Sequence, residues 1–170
     1  MKLSLVPDFR FDKFSDVTLE FFINQGVKGV ILDIDNTLEP YENPMPSPAV
    51  VEWLFILNNN GIKTAFVSNN NKDRVNTFNS ELKIPAFPKA KKPFSKNLKR
   101  AMLEMGSDKS NTVIMGDQVF TDVLAGRMAG IKTILVPPIK DKRDIFTRFK
   151  RLLEKPILRK YDKRKKEEQK

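Results

Sequence analysis

The chain has 170 residues, 40% of them apolar, and its 31 Lys/Arg against 21 Asp/Glu give a formal net charge of +10. That length and composition suit one globular domain with its own core rather than a disordered chain. The absence of cysteine and histidine excludes disulfides, thiolate or imidazole metal sites, imidazole acid/base chemistry and Ser-His-Asp triads. Catalysis by this chain has to run on carboxylates, lysine, hydroxyls and backbone groups.

The opening MKLSLVPDFRFDKF carries charges and a proline where a secretory leader needs an apolar run. No stretch approaches the roughly 20 apolar residues of a spanning helix, so a cytoplasmic protein is expected. Phe9, Phe11, Phe14, Phe21 and Phe22 are expected in the core rather than on a membrane. VKGVILDI (27–34) is nearly continuous in branched aliphatics and reads as a strand buried on both faces. SPAVVEWLFILNNNG (47–61) reads as a helix, with Ser47 as N-cap, Pro48 at its first position and Gly61 as its stop. KTAFVSN (63–69) is a strand and DRVNTFNSEL (73–82) a helix. PAFPKA (85–90) is a short strand demoted by its prolines. SKNLKRAMLEMG (95–106) is an amphipathic helix closed by Gly106, NTVIMGD (111–117) a strand, TDVLAGRMAG (121–130) a helix and KTILVPP (132–138) a strand.

Residues 140–170 hold fourteen Lys/Arg against six Asp/Glu, so the basic excess belongs to the tail rather than to the fold. Ile145, Phe146, Phe149, Leu152 and Leu153 recur there at helical spacing. They suit either packing onto the sheet or a basic amphipathic helix on an anionic membrane surface. Residues 1–155 are expected to form one domain, followed by a basic, flexible tail over 156–170.

Strands alternating with helices imply a parallel sheet covered by helices on both faces, with the ligand site beyond the carboxyl ends of the strands. Three predicted strands end in chemistry there. Asp33 and Asp35 of DIDNT lie two apart on an extended strand end and face the same side. Without cysteine or histidine, an aspartate is the available covalent nucleophile, and a second acid can protonate a leaving alcohol and take a proton from water. Read alone, DIDN is equally a polar turn. The strand at 111–117 ends in Asp117 with Asp122 beyond it; the pair suits a hard cation such as Mg²⁺, while Thr121 or Asp122 suits a helix cap. FVSNN places Ser68 and Asn69 at a strand end, where hydroxyl and amides suit a phosphate.

Taken in order, DIDNT (33–37), Ser68 of FVSN, the lysine of KKP and GDQVFTD (116–122) resemble the four motifs of the haloacid dehalogenase-like (HAD) phosphatase superfamily. The resemblance implies a three-layer α/β/α Rossmann-like fold around a parallel sheet. It implies a Mg²⁺-dependent phosphomonoester hydrolase working through an aspartyl-phosphate, with Asp33 as nucleophile and Asp35 as general acid/base. Thr37, Ser68, Asn69 and Lys92 would contact the phosphate, with Lys91 the competing lysine. Asp33, Asp35 through its carbonyl, Asp117 and Asp122 would serve the metal. The cations answer a physical need, since a phosphate dianion approaching two carboxylates is repelled until positive charge offsets it.

Relatives in this superfamily often insert a cap domain after the first motif or between the second and third. Residues 36–67 and 69–91 are too few for one, so an open site suited to large substrates is expected. DIDNTLEPYENPMPSPAV, VSNN, AKKP and GDQVFTDVLAGRMAGIKTILVPPI further resemble the capless bacterial branch, subfamily IIIA, related to mitochondrial phosphatidylglycerophosphate phosphatases. That implies an anionic lipid phosphate as substrate, on the inner face of a membrane. The rivals are a phosphatase for a soluble, protein or nucleic-acid-end phosphate, and a non-catalytic module binding RNA or the ribosome through the basic tail.

Overall fold

In the computed structural model, residues 4–140 and 145–168 are described. A six-stranded sheet forms the centre, in the order β1-β6-β5-β2-β3-β4 and parallel throughout. The strands are β1 (Phe9–Arg10), β2 (Gly29–Leu32), β3 (Lys63–Val67), β4 (Ala86–Phe87), β5 (Thr112–Gly116) and β6 (Lys132–Leu135). Helices α1 (Leu19–Asn24), α2 (Pro48–Asn59), α3 (Lys72–Phe78), α4 (Lys96–Met105), α5 (Leu124–Ala129) and α6 (Ile145–Glu168) accompany them. A short 3-10 turn at Phe14–Asp16 and a wide π-helical turn at Val119–Val123 complete the order. The expected three-layer α/β fold is the observed one.

Period-two alternation divides each central strand between two cores. Val30 and Leu32 of β2, Phe66 of β3 and Val113 and Met115 of β5 face one side, where they meet Phe22, Trp53, Leu54, Leu57 and Phe78. Ile31, Ala65, Val67 and Ile114 face the other, against Leu98, Ala101 and Met102 of α4 and Ala125 and Ala129 of α5. Both faces of the sheet are covered, which is why these strands read as continuous apolar runs. Gly126 lets α5 approach closely, because a Cβ there would strike Thr133 and Ile114.

The N-terminal segment holds elements the sequence pattern did not reveal. Two-residue β1 adds an edge to β6, and α1 starts at Thr18, whose side chain accepts from Phe21 N. The phenylalanines go where expected: Phe22 is fully buried, and Phe9, Phe11, Phe14 and Phe21 pack against the same core. Phe21 meets Phe9 and Phe11 edge-on, each with centroids 5.0 Å apart.

The C-terminal segment departs from expectation. Where a flexible tail was expected from residue 156, α6 runs through Pro156 to Glu168. Its inward face is Glu154, Ile157, Leu158 and Tyr161, a stripe at helical spacing. Leu152 and Leu153 are instead 57% and 47% exposed, and the side chains of Ile145, Phe146 and Phe149 lie outside the described residues. Polar contacts fasten the helix: Arg10 N donates to Tyr161 Oη at 3.1 Å, Arg164 Nη2 donates to Pro7 O at 2.8 Å, and Arg10 pairs with Asp162 at 2.9 Å. Much of the basic tail is thus built into the domain edge. No described helix is long and apolar enough to cross a membrane.

Tyr161→Phe keeps the ring and removes the acceptor for Arg10 N. A net loss of about 1 kcal/mol is expected, lowering the melting midpoint by about 2–4 °C for a domain of this size. An unchanged midpoint would show that α6 contributes no stability through this contact.

Candidate active site

Chain order and strand order diverge beside β2. The chain moves outward to β3 and β4, then crosses back to place β5 on the opposite side of β2. Such a switch point opens a crevice at the carboxyl ends of the two strands. Asp33 follows β2 and Asp117 follows β5, so the crevice acquires a carboxylate from each wall. Asp33 N still donates to Met115 O at 3.0 Å, holding that tip in the sheet. The chain then turns at Asn36, a non-glycine residue at φ 63°, a conformation asparagine tolerates better than most residues. Ser68 ends β3, and Lys92 follows β4.

Lys92 organises the centre. Its Nζ lies 2.8 Å from Asp33 Oδ1 and 2.7 Å from Asp122 Oδ1, and its side chain is only 2% exposed. Asn69 fixes the lysine's backbone from both sides, accepting from Lys92 N at 2.6 Å and donating to Lys92 O at 3.1 Å. The following Lys92–Pro93 peptide is cis. Lys91 is exposed and sits at φ 56°, so Lys92 rather than Lys91 enters the site.

Asp122 is held by the turn that carries it. Its Oδ2 accepts from Gln118 N at 3.1 Å and from Thr121 Oγ1 at 3.2 Å, so the acid that binds the lysine is fixed by the turn it belongs to. Thr121 or Asp122 was expected to cap the next helix, but α5 starts after Val123 with no side-chain cap; the Asp122 carboxylate instead bonds back to the start of its own turn. Buried Glu154 of α6 braces the same turn by accepting from Val119 N at 2.9 Å. Gly116 makes room, because a Cβ there would fall on the Asp122 side chain.

Burial pushes the Asp33 carboxyl up to about 7; the Lys92 charge opposes this, and Asp122 and Asp117 reinforce it. Burial would lower the pKa of Lys92, but Asp122 and Asp33 outweigh it and hold the ammonium above its ordinary range. Lys92 thus pairs with two buried carboxylates, and carboxylate oxygens of Asp33, Asp117 and Asp122 all lie within 4.8 Å of one another. An all-oxygen donor set with excess negative charge fits a hard divalent cation. No residue here offers the nitrogen or sulfur that a softer metal prefers.

A cavity of about 420 Å³ opens onto this centre, lined by Asp33, Asp35, Tyr41, Ser68, Asn69, Asn70 and Gln118. Among the expected site residues, Asp33, Asp35, Ser68 and Asn69 reach it. Asn69 does so with its amide already engaged by Lys92. Thr37 is buried, its hydroxyl without a hydrogen-bond partner, and it is absent from the cavity wall. Asp122 is buried behind Lys92. Asp35 is bound on both oxygens, by Arg74 Nε at 3.0 Å and Asn70 Nδ2 at 2.9 Å. Sequence reasoning missed Asn70, Arg74, Tyr41, Gln118 and Glu154. Tyr41, Asn70 and Gln118 lie within quoted motifs, but nothing local marked Arg74 or Glu154, whose partners are distant in sequence.

A family model described as HAD-hydrolase-like matches residues 89–145. The chain is 40% identical over 158 residues to the probable phosphatase YqeG of Bacillus subtilis, covering 93% of this chain and 92% of that one. Among solved structures, the cobalt-bound deoxy-D-mannose-octulosonate 8-phosphate phosphatase YrbI of Haemophilus influenzae matches at TM-score 0.54 and 16% identity, over 67% of this chain and 80% of that one. A HAD-superfamily hydrolase from Ehrlichia chaffeensis matches at TM-score 0.53 and 16% identity, over 75% and 97%. At these identities the solved structures speak for the fold.

Gly116→Ala is expected to push Asp122 away from Lys92 and so disturb the lysine's approach to Asp33. Hydrolysis of p-nitrophenyl phosphate should fall by about tenfold or more while the circular-dichroism spectrum stays native, one decade corresponding to about 1.4 kcal/mol of barrier. Wild-type turnover in this variant would mean that Asp122 does not govern Lys92.

Proposed function

The chain belongs to the HAD-like hydrolases and is a phosphatase of that family, and we propose that it hydrolyses phosphate monoesters through an aspartyl-phosphate on Asp33 with Mg²⁺ as its metal. The observation that carries this reading is the ion pair of Lys92 with Asp33, at 2.8 Å, beneath a cavity whose wall also holds Asp35 and Ser68.

With one Asp33 oxygen engaged by Lys92, the other is the attacking atom. It forms a bond to phosphorus as the bond from phosphorus to the ester oxygen breaks. Asp35 gives its proton to the departing alkoxide, then takes one from the water that attacks the acyl phosphate. That second attack releases inorganic phosphate and restores the Asp33 carboxylate. Lys92 and Ser68 supply donors for the oxygens of the transferring group. Mg²⁺, held by Asp33, Asp117 and the Asp35 carbonyl, would supply the charge that offsets repulsion between the dianion and these acids. Asp122 keeps Lys92 in place.

For the substrate, we favour an anionic lipid phosphate presented at the inner face of a membrane, in the class of phosphatidylglycerophosphate. The open cavity and the exposed apolar side chains beside it support this reading. Tyr41 forms part of the cavity wall, Phe94 follows Pro93, and Ile139 is tied to Asn36 through its backbone; all three are exposed. The alternative is a soluble phosphate ester.

Asp33→Asn should abolish hydrolysis of p-nitrophenyl phosphate with the fold intact, because the amide is close in size but a poor nucleophile. Chelation should silence the wild type, and added Mg²⁺ should restore it. Turnover by a folded Asp33→Asn protein, or chelator-resistant activity, would refute the respective assignment. Asp35→Asn should slow turnover by about 10²–10⁴, with phenyl phosphate losing more than p-nitrophenyl phosphate because its leaving group needs the proton. Equal losses on the two esters would count against the acid/base role. A screen including phosphatidylglycerophosphate vesicles and soluble esters separates the substrate readings.

A further inference from the structure

Asp35 has to offer an oxygen to a leaving group in an open cavity, yet a short carboxylate at a strand tip can rotate. Two donors constrain it. Asn70 Nδ2 donates to Oδ2 at 2.9 Å and Arg74 Nε donates to Oδ1 at 3.0 Å. The Asp35 and Arg74 side chains are 12% and 9% exposed, so water competes weakly with the pair. Arg74 is itself fixed from several directions. It sits in the first turn of α3, where its backbone N–H donates to the Asn71 cap at 2.8 Å. Its guanidinium lies 5.3 Å from the Phe78 ring centroid, and Nη1 donates to Pro44 O at 2.8 Å.

Pro44 belongs to the loop between Asn36 and Ser47, which carries Tyr41 into the cavity wall. Buried Glu39 braces that loop, accepting from Asn43 Nδ2 at 2.8 Å and from Ser47 N at 2.9 Å. One guanidinium therefore joins the carboxylate to the loop that bounds the substrate space. A planar guanidinium can make both bonds at once through separate nitrogens; a lysine ammonium is a compact point charge on a flexible stem.

We propose that Arg74 is a positioning residue: it fixes the orientation of Asp35 and ties it to the Tyr41 loop, so that proton delivery to the leaving group depends on it. This rests on the acid/base reading of Asp35 given above. Arg74 acts through Asp35, and its loss should fall on esters whose leaving oxygen must be protonated.

The test compares wild type, Arg74→Met, Arg74→Lys, Asp35→Asn and the Asp35→Asn/Arg74→Met double variant. Each is assayed with Mg²⁺ on phenyl phosphate and on p-nitrophenyl phosphate, with kcat and KM separated. Arg74→Met should lower kcat on phenyl phosphate by about tenfold or more, a part of the usual acid/base contribution, and on p-nitrophenyl phosphate by clearly less. In the Asp35→Asn background the same change should have almost no further effect, since residues acting as one unit are not additive. Arg74→Lys should give an intermediate loss, and it carries the comparison if Arg74→Met does not fold. Equal loss on both esters, or full additivity with Asp35→Asn, overturns the positioning role while leaving Asp35 selective in its own right. If Asp35→Asn itself shows no leaving-group selectivity, the acid/base reading fails and the proposal falls with it.

Discussion

The site depends on one buried ammonium. Lys92 lies between Asp33 and Asp122 at 2.8 and 2.7 Å, with Asp117 in the same cluster. Removing one partner of a buried pair commonly costs about 3–5 kcal/mol, because the charge left behind has lost both water and counterion. The surroundings of Lys92 follow from that constraint. Asn69 brackets its backbone, the wide turn after β5 delivers Asp122, and Gly116 leaves the space Asp122 occupies. A cluster with three acids and one lysine still carries excess negative charge, which is the physical invitation to a cation.

The sheet makes this arrangement affordable for a chain of this size. Asp33 and Asp117 end adjacent strands whose apolar residues are already buried on both faces. The expensive polar groups are confined to one edge, where paired backbone and packed helices limit their movement. Each group outward from there has its own restraints. Asp33 is held by the sheet ladder and Lys92. Asp35 is held by two side chains, and Tyr41 by a loop that Glu39 and Arg74 fasten. Both the carboxylates of the centre and the loop that bounds the cavity are thus held by named contacts.

The C-terminal helix ties the periphery to the centre. Glu154 reaches Val119 in the turn that bears Asp122, and Tyr161 and Arg164 fasten the helix to β1 and the segment before it. Of the described basic residues here, Arg164 serves as a structural contact to the domain, while Arg159, Lys160, Lys163 and Lys166 are exposed. The same stretch shows how composition misleads: a run dense in lysine and arginine looks like a solvated end, while its inward stripe is Glu154, Ile157, Leu158 and Tyr161.

By itself the sequence determined the alternating elements, the burial of the central strands and the strand ends that carry Asp33, Ser68 and Asp117. Those features are local: β-branched runs, a proline at a helix start, a glycine at its end and acids directly after an apolar strand. The order of motifs also placed Lys92 and Asp122 in the same chemistry. Only the tertiary structure decided that Lys92 rather than its neighbour turns inward, and that Asn69 spends its amide on the Lys92 backbone. It also decided that Thr37 is buried off the cavity, that Arg74 binds Asp35, and that α6 continues past Pro156. β1 and α1 were not legible either, since two residues of strand and six of helix carry too little periodicity to stand out. The placements of Lys92, Asn69, Arg74 and α6 depend on partners far away in sequence, and a window of neighbouring residues holds no record of such partners.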